Sequence, residues 1–241
     1  MTWIDRLSLF SALDYGALCA LIVAWAAIGW RIEKPSATNP SVAELMADYR
    51  RDWMRHMVTR QPRIFDSSLI GNLRQSTAFF ASATMIALGG GMALIRNPEP
   101  VEGLASDLAL SSAPHVVWEI KLLLSLLILT SAFLKFVWAN RLFGYCSVVM
   151  GAVPNEADHP LAFARADQAA ELCISAARSF NRGLRTTYFA LASAAWLLGP
   201  VPLLLAIVLT LAMIYRREFG SASRAVLMRH LPEVRAEASE G

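Results

Sequence analysis

Leu184 to Phe219 reads LRTTYFALASAAWLLGPVPLLLAIVLTLAMIYRREF, and the fold turns on how often this stretch crosses a membrane. It is apolar over far more than the ~20 residues that one upright transmembrane helix needs. Near its middle lies Gly199-Pro200-Val201-Pro202. Each proline lacks an N–H and clashes with the preceding turn, so the segment interrupts a helix. Two paths fit: one tilted, kinked helix, or a hairpin of two short spans at 184–198 and 201–215.

Charge separates the two paths, because Lys and Arg collect on the cytoplasmic side of membrane proteins. Segment 31–74 carries Arg31, Lys34, Arg50, Arg51, Arg55, Arg60, Arg63 and Arg74. Segment 141–185 carries Arg141, Arg165, Arg178, Arg182 and Arg185, and the tail carries Arg216, Arg217, Arg224, Arg229 and Arg235. The connection 96–115 instead sets Arg96 beside Glu99, Glu102 and Asp107. A single fourth span would place the arginine-rich tail outside, whereas a hairpin places it inside. The pattern favours the hairpin, an N-terminus outside and a C-terminus inside.

The rest of the chain agrees with a membrane class. Of 241 residues, 56% are hydrophobic and 17% are charged, against about 25% charged in an ordinary soluble domain. Further spans are expected at 9–30, 75–95 and 116–139, each long enough to cross ~30 Å of hydrocarbon as a helix. The start, MTWIDRLSLFSALDYGALCALIVAWAAIGW, lacks a basic leader, has a long apolar part and has no A-x-A site leading into a soluble domain, so it reads as a retained span. Trp25, Trp30, Trp118, Trp138 and Tyr215 fall near span ends, where amphipathic rings prefer the interface. The expected fold class is all-α: a polytopic bundle of four to five spans with amphipathic cytoplasmic helices at 42–60 and 160–183.

The first cytoplasmic helix opens with Ser41 and Glu44, a capping-box spacing. Val42, Leu45, Met46, Tyr49, Trp53 and Met57 recur at helical spacing, with Arg50, Arg51 and Arg55 on other faces. This stripe suits either an anionic inner leaflet or the second cytoplasmic helix. That second helix is expected to start near Asp158 and Pro160 and to run on into the fourth span. Leu161, Ala169, Cys173, Ala176 and Phe180 form its apolar stripe.

Gly89, Gly90 and Gly91 sit inside FFASATMIALGGGMALI. A phosphate loop would place glycines between strand and helix with Lys-Ser or Lys-Thr following, and Met92, Ala93 and Leu94 follow here. Ala83, Ala87, Gly89, Gly90 and Gly91 read instead as a helix-packing seam. The residues imply no cofactor and no metal. Cys19, Cys146 and Cys173 are odd in number and widely spaced, and His56, His115, His159 and His230 avoid span interiors. The net charge of +3 is too small to suggest nucleic acid.

Ionisable residues inside spans are costly and are functional candidates. These are Asp14, Glu119, Lys121 and Lys135. Lys135 is expected to snorkel to the inner headgroups. Asp14, Glu119 and Lys121 share a depth near the outer face, as a structural ion pair or as a proton or cation site.

The blocks DYRRDWMRHMVTRQPRIFDSSLIGNLRQSTAFFASATMIALGGGMALI, WEIKLLLSLLILTSAFLKFVWANRLFGYCSVVMGAVP, SFNRGLRTTYFALASAAWLLGP and YRREFGS resemble domain-of-unknown-function family 599. The resemblance runs from about Leu13 to Ser221 and implies a polytopic protein of the bacterial inner membrane without an assigned activity. Positions matching the family include Arg51, Met54, Arg60, Arg63, Asp66, Phe79, Phe80, Gly89, Gly90, Glu119, Lys121, Lys135, Phe136, Asn140, Arg141, Asn181, Gly183, Arg185 and Arg217. Many gather at the cytoplasmic interface, where Arg51, Arg60, Arg63, Asp66, Asn140, Arg141, Asn181 and Arg185 become candidate contact residues.

Three functions are open to these residues. The first is a non-enzymatic scaffold or accessory protein whose basic cytoplasmic face contacts a membrane-protein partner or anionic lipid. The second is a small transporter or channel using Asp14, Glu119 and Lys121. The third is a lipid-acting enzyme near Arg51, Arg63, Asp66, Asn181 and Arg185, although no nucleophile–base pair is evident.

Overall fold

The computed structural model describes residues 8–96 and 114–229. These residues are mostly helical, with no strand among them. In chain order they form α1 (Ala12–Glu33), α2 (Val42–Thr59), α3 (Ile64–Arg96), α4 (His115–Gly151) and α5 (Ala162–Ala194). A 3-10 turn (Ala195–Leu198), α6 (Pro200–Phe219) and α7 (Ala222–Met228) complete the described chain. Four helical stretches are long and apolar enough to cross a membrane: α1, α3, α4 and the run Pro200–Met228. The acidic connection with Glu99, Glu102 and Asp107 lies outside the described residues, as do His230 and Arg235.

Local chemistry sets the helix ends. Ser11 and Asp14 form a reciprocal capping box at α1, the Ser11 N–H reaching the Asp14 carboxylate at 3.0 Å. At α2 only half of the expected box forms. Ser41 Oγ accepts the Glu44 N–H at 3.2 Å, while the Glu44 carboxylate accepts the Ser36 N–H. Helix α5 begins at Ala162, where the expected cap Asp158 takes no part and the His159 Nδ1 accepts the N–H of the N-cap residue Leu161 at 3.1 Å.

The stretch that opened the sequence reading reverses direction at Gly199. Its φ of 123° lies where a side chain is strained, and Pro200 then starts α6 at the position that needs no N–H. Arg217 Nη1 donates to the Tyr188 hydroxyl at 2.9 Å, so α6 runs back along α5. The second amphipathic helix runs on into the first arm of the hairpin, as expected, and the two form one rod, α5. Extensions also appear in α3, which starts at Ile64 rather than 75, and in α4, which runs to Gly151 rather than 139.

Two cores result. One is built by α2, the first part of α3, the last part of α4 and the first part of α5, around Met54, Phe143, Cys146, Ala169 and Cys173. The other joins α1, the end of α5, the 3-10 turn and α6, around Leu21, Phe189, Trp196 and Leu203. Helices α4 and α5 serve both and make the most extensive pairing in the molecule. Gly183 sets their separation. A Cβ there would lie 2.6 Å from Phe136 Cε1, and Phe136 is itself held by Phe80 and Phe180, with centroids 5.5 and 5.6 Å away.

Helix α2 packs on α5 rather than lying free. Its buried line is Leu45, Met54, Met57 and Val58, rotated from the expected stripe, and Tyr49 is exposed. The glycine seam is narrower than expected. Gly91 faces Leu126 of α4, where a Cβ would clash at 2.3 Å, whereas Gly89 and Gly90 meet nothing within 4 Å. Ala83 and Ala87 are exposed.

Candidate functional site

Two charged clusters mark opposite ends of the α1–α4–α5 group. Asp14 and Trp196 define one end, and Glu33 defines the other. On α1 they are separated by about 28 Å of helix rise.

At the Trp196 end, Asp14 is fully engaged. One carboxylate oxygen accepts the Trp196 indole N–H at 2.7 Å, and the other accepts the Ser11 hydroxyl at 2.6 Å. Lys121 is 7% exposed and lies over the rings of Trp118 and Trp196, 5.4 and 5.5 Å from their centroids. Asp14 is near enough to stabilise its charge through space. Glu119 does not join them. It pairs with His115 one turn earlier on α4, and its side chain is 41% exposed. Residues two apart on a helix face different ways, and here they separate the two acids. The structure therefore brings Asp14 and Lys121 together and leaves Glu119 out.

At the Glu33 end, Arg182 and Arg185 stand on one face of α5, three residues apart. Both bind the Glu33 carboxylate, Arg182 through Nε at 2.8 Å and through Nη2, Arg185 through Nη2. Hydrogen bonding to Glu33 raises the pKa of Arg182. Lys135 of α4 points into the same region. Its ammonium donates to Ser131 Oγ at 2.7 Å and Thr186 Oγ1 at 3.1 Å, and it lies 5.0 Å from the Trp25 ring centroid. The Lys135 ammonium thus reaches back toward Ser131, one turn earlier on α4. Helical side chains lean toward their own N-terminus, and the N-terminus of α4 is at the Trp196 end. Lys135 consequently leans back along the bundle, toward Ser131 and Thr186.

These groups line a cleft of about 220 Å³ formed by Trp25, Ala26, Gly29, Glu33, Lys135, Arg182, Arg185 and Thr186. Three cations face one carboxylate, an excess of two positive charges. Beyond the Glu33–arginine cluster lies a second cavity of about 230 Å³, lined by Arg50, Arg51, Arg178, Asn181 and Arg185 with Glu33, Glu44 and Asp48. Arg51 and Asn181 thus share a cavity with Arg185, but Arg51 is already bound to Glu171 and Asp48, both at 2.9 Å. Its hydrogen bond with Glu171 raises its pKa.

The remaining interface candidates are built into the fold elsewhere. Arg63 donates to the carbonyls of Val153, Pro154 and Val58 at 2.8, 2.7 and 3.1 Å, tying the α4–α5 connection to α2. Asp66 is 1% exposed and takes the Trp53 indole N–H at 2.7 Å together with Arg60. Asn140 bridges α4 to the Arg74 carbonyl of α3 at 3.2 Å, and Arg141 stacks on Tyr145 of its own helix. Among the described residues, no three His, Cys, Asp or Glu side chains gather to hold a metal ion.

Glu33, Arg182, Thr186, Trp25, Gly29 and Trp196 were not singled out as site residues by sequence reasoning. One signal was present: an acid just past the first span and an Arg-x-x-Arg opening the first arm of the hairpin. Which helices meet was not readable.

A helix bundle with four helices long and apolar enough to cross a membrane, and with charged clusters at its two ends, has the composition of a helical membrane protein. Within that class the chain belongs to the family described as "Protein of unknown function, DUF599", which it matches over residues 16–223. No curated protein and no solved structure matches it.

Proposed function

We propose that this is a multi-pass protein of the bacterial inner membrane that acts as a non-enzymatic accessory or scaffold, anchored to anionic lipid through the cleft at its Glu33 end. The chain crosses five times in this reading: α1, α3, α4, the end of α5, and α6. Helix α6 rises about 30 Å, a full hydrocarbon thickness. The α5 leg is shorter, and the long Arg182 and Arg185 side chains extend it to the interface. Arg31, Lys34, Arg182, Arg216 and Arg217 mark the Glu33 end as cytoplasmic. The N-terminus is then outside and the C-terminus inside.

The observation that carries the reading is the cationic excess of Lys135, Arg182 and Arg185 over Glu33 in an open cleft. Basic pockets between membrane helices on the cytoplasmic side hold anionic headgroups. The arginines of α2 are poorer candidates, since Arg51 and Arg55 are paired with Glu171 and Asp167 at 2.9 Å. The transporter reading needs Asp14, Glu119 and Lys121 around one path, and Glu119 points elsewhere. The enzyme reading needs Arg63 and Asp66 beside Arg185, and they belong to a different cluster.

Two measurements test the proposal. Full-length protein reconstituted in phosphatidylcholine should gain thermal stability when phosphatidylglycerol is added, and the double variant Lys135→Gln/Arg182→Gln should gain none. Equal gain in both would remove the cleft from the function. A cysteine placed at Leu198 should react with an impermeant reagent from the periplasmic face only. Reaction from the cytoplasmic face alone would reverse the topology.

A further inference from the structure

We propose that the cleft between α1, α4 and α5 takes the phosphate monoester head of a membrane lipid, a dianion, in preference to a phosphodiester head. This rests on the anionic-lipid reading above and names the ligand class. Charge is the first argument. The cleft carries two uncompensated positive charges, and a phosphate monoester brings close to two negative charges at neutral pH, whereas a phosphodiester brings one. Glu218, the other acid felt by Arg185, does not alter this balance greatly. Its carboxylate accepts the Ala43 N–H at 3.3 Å, at the α2 N-terminus, where the helix dipole offsets its charge.

Donor geometry is the second argument. A lysine ammonium has three N–H donors. Ser131 and Thr186 take two, and the third is available to an anion in the cleft. Arg185 spends a single Nη on Glu33. Planar guanidinium groups together with an ammonium are the donor set that phosphate oxygens select.

Size and access are the third. About 220 Å³ is less than the ~300–1,000 Å³ that encloses a drug-sized ligand, so the cleft suits a compact head whose remainder lies outside. Its mouth on α1 is Ala26 and Gly29, and a Cβ at Gly29 would meet nothing within 4 Å. That opening lies one to two turns inside the Glu33 end of a membrane-length helix, where an acyl-linked phosphate can reach it from the bilayer.

The test reconstitutes full-length protein with equal small fractions of phosphatidic acid and phosphatidylglycerol in phosphatidylcholine, and reads retained lipid by native mass spectrometry. Phosphatidic acid should be retained about tenfold over phosphatidylglycerol, the ratio expected when one extra charge-assisted contact is made. Lys135→Gln should erase the preference. Gly29→Leu should erase it too, by filling the mouth while leaving every charge in place, and should unfold at the wild-type temperature. Equal retention of the two lipids would overturn the monoester assignment and leave the anionic-lipid reading standing. Retention of neither above phosphatidylcholine would overturn both. Inorganic phosphate, added to detergent-solubilised protein, should stabilise weakly. Stabilisation equal to that by phosphatidic acid, lost in Lys135→Gln, would move the ligand from lipid to a soluble phosphate.

Discussion

Lys121 and Lys135 stand on the same helix, carry the same charge and are both drawn inside the bundle, yet their surroundings oppose each other. Lys121 is enclosed by two indole rings and faces Asp14, an acid whose hydrogen bonds are complete. Lys135 is held by two hydroxyls and shares its cleft with two arginines and one glutamate. The first cluster is closed and balanced. The second is open and carries excess charge. A charge buried with its partner is architecture, whereas a charge held in place without one is prepared for something that arrives. The comparison moves functional attention from the Trp196 end, which holds the acids Asp14 and Glu119 expected inside spans, to the Glu33 end.

The largest expected effect comes from changing the spacing of the two helices that carry the second cluster. Gly183→Leu drives a side chain into Phe136, which Phe80 and Phe180 prevent from moving. Overpacking of this kind costs about 3 kcal/mol. Thermal unfolding in detergent should fall sharply, and an unchanged midpoint would show that the α4–α5 contact is looser than described. Smaller, but specific to the closed cluster, is Asp14→Ala. It strands the Trp196 N–H and leaves Lys121 buried without a counter-charge, for a loss of about 2 kcal/mol. Asp14→Asn should recover only the part due to the Trp196 hydrogen bond. The smallest effect divides the two lysines. Lys121→Met should destabilise by about 1 kcal/mol through lost cation–π and charge contacts, while Lys135→Met should be neutral or stabilising, since it relieves repulsion. Parallel melts of the two variants check this, and equal losses would erase the distinction.

The two cores differ in what holds them. The bundle of α2 with parts of α3, α4 and α5 is an alanine-rich core sealed by ion pairs and by the Arg63 bonds to three carbonyls. Within lipid the hydrophobic effect no longer draws helices together, and in the proposed membrane placement close packing at Gly183 and Gly91 takes its place. That is why Gly91, against Leu126, reads correctly as a seam, while Gly89 and Gly90 face outward. A glycine run announces that packing is possible without saying which residue of the run makes it.

Much of the fold was legible because it depends on local rules. Helical class, the break at Gly199-Pro200 and the approximate helix starts follow from hydropathy, proline chemistry and caps. Helix continuity was legible as well: no proline interrupts residues 162–194, and the helix expected to run on into the fourth span is one element, α5. The candidate site was legible only in part. Lys135 and Arg185 were singled out, but Glu33 and Arg182 stand far from each other in sequence and meet only through helix packing.

By itself the sequence determined that this chain is a bundle of membrane-length helices with basic residues gathered toward one side. Those properties are sums over single residues: hydropathy, charge and backbone propensity. Only the tertiary structure decided which charges are spent and which are left over. Pairing depends on which helix faces meet and on the direction in which each side chain leans. Those vectors sent Glu119 to His115, turned Lys135 away from its own end of the bundle, and left two positive charges facing an open cleft.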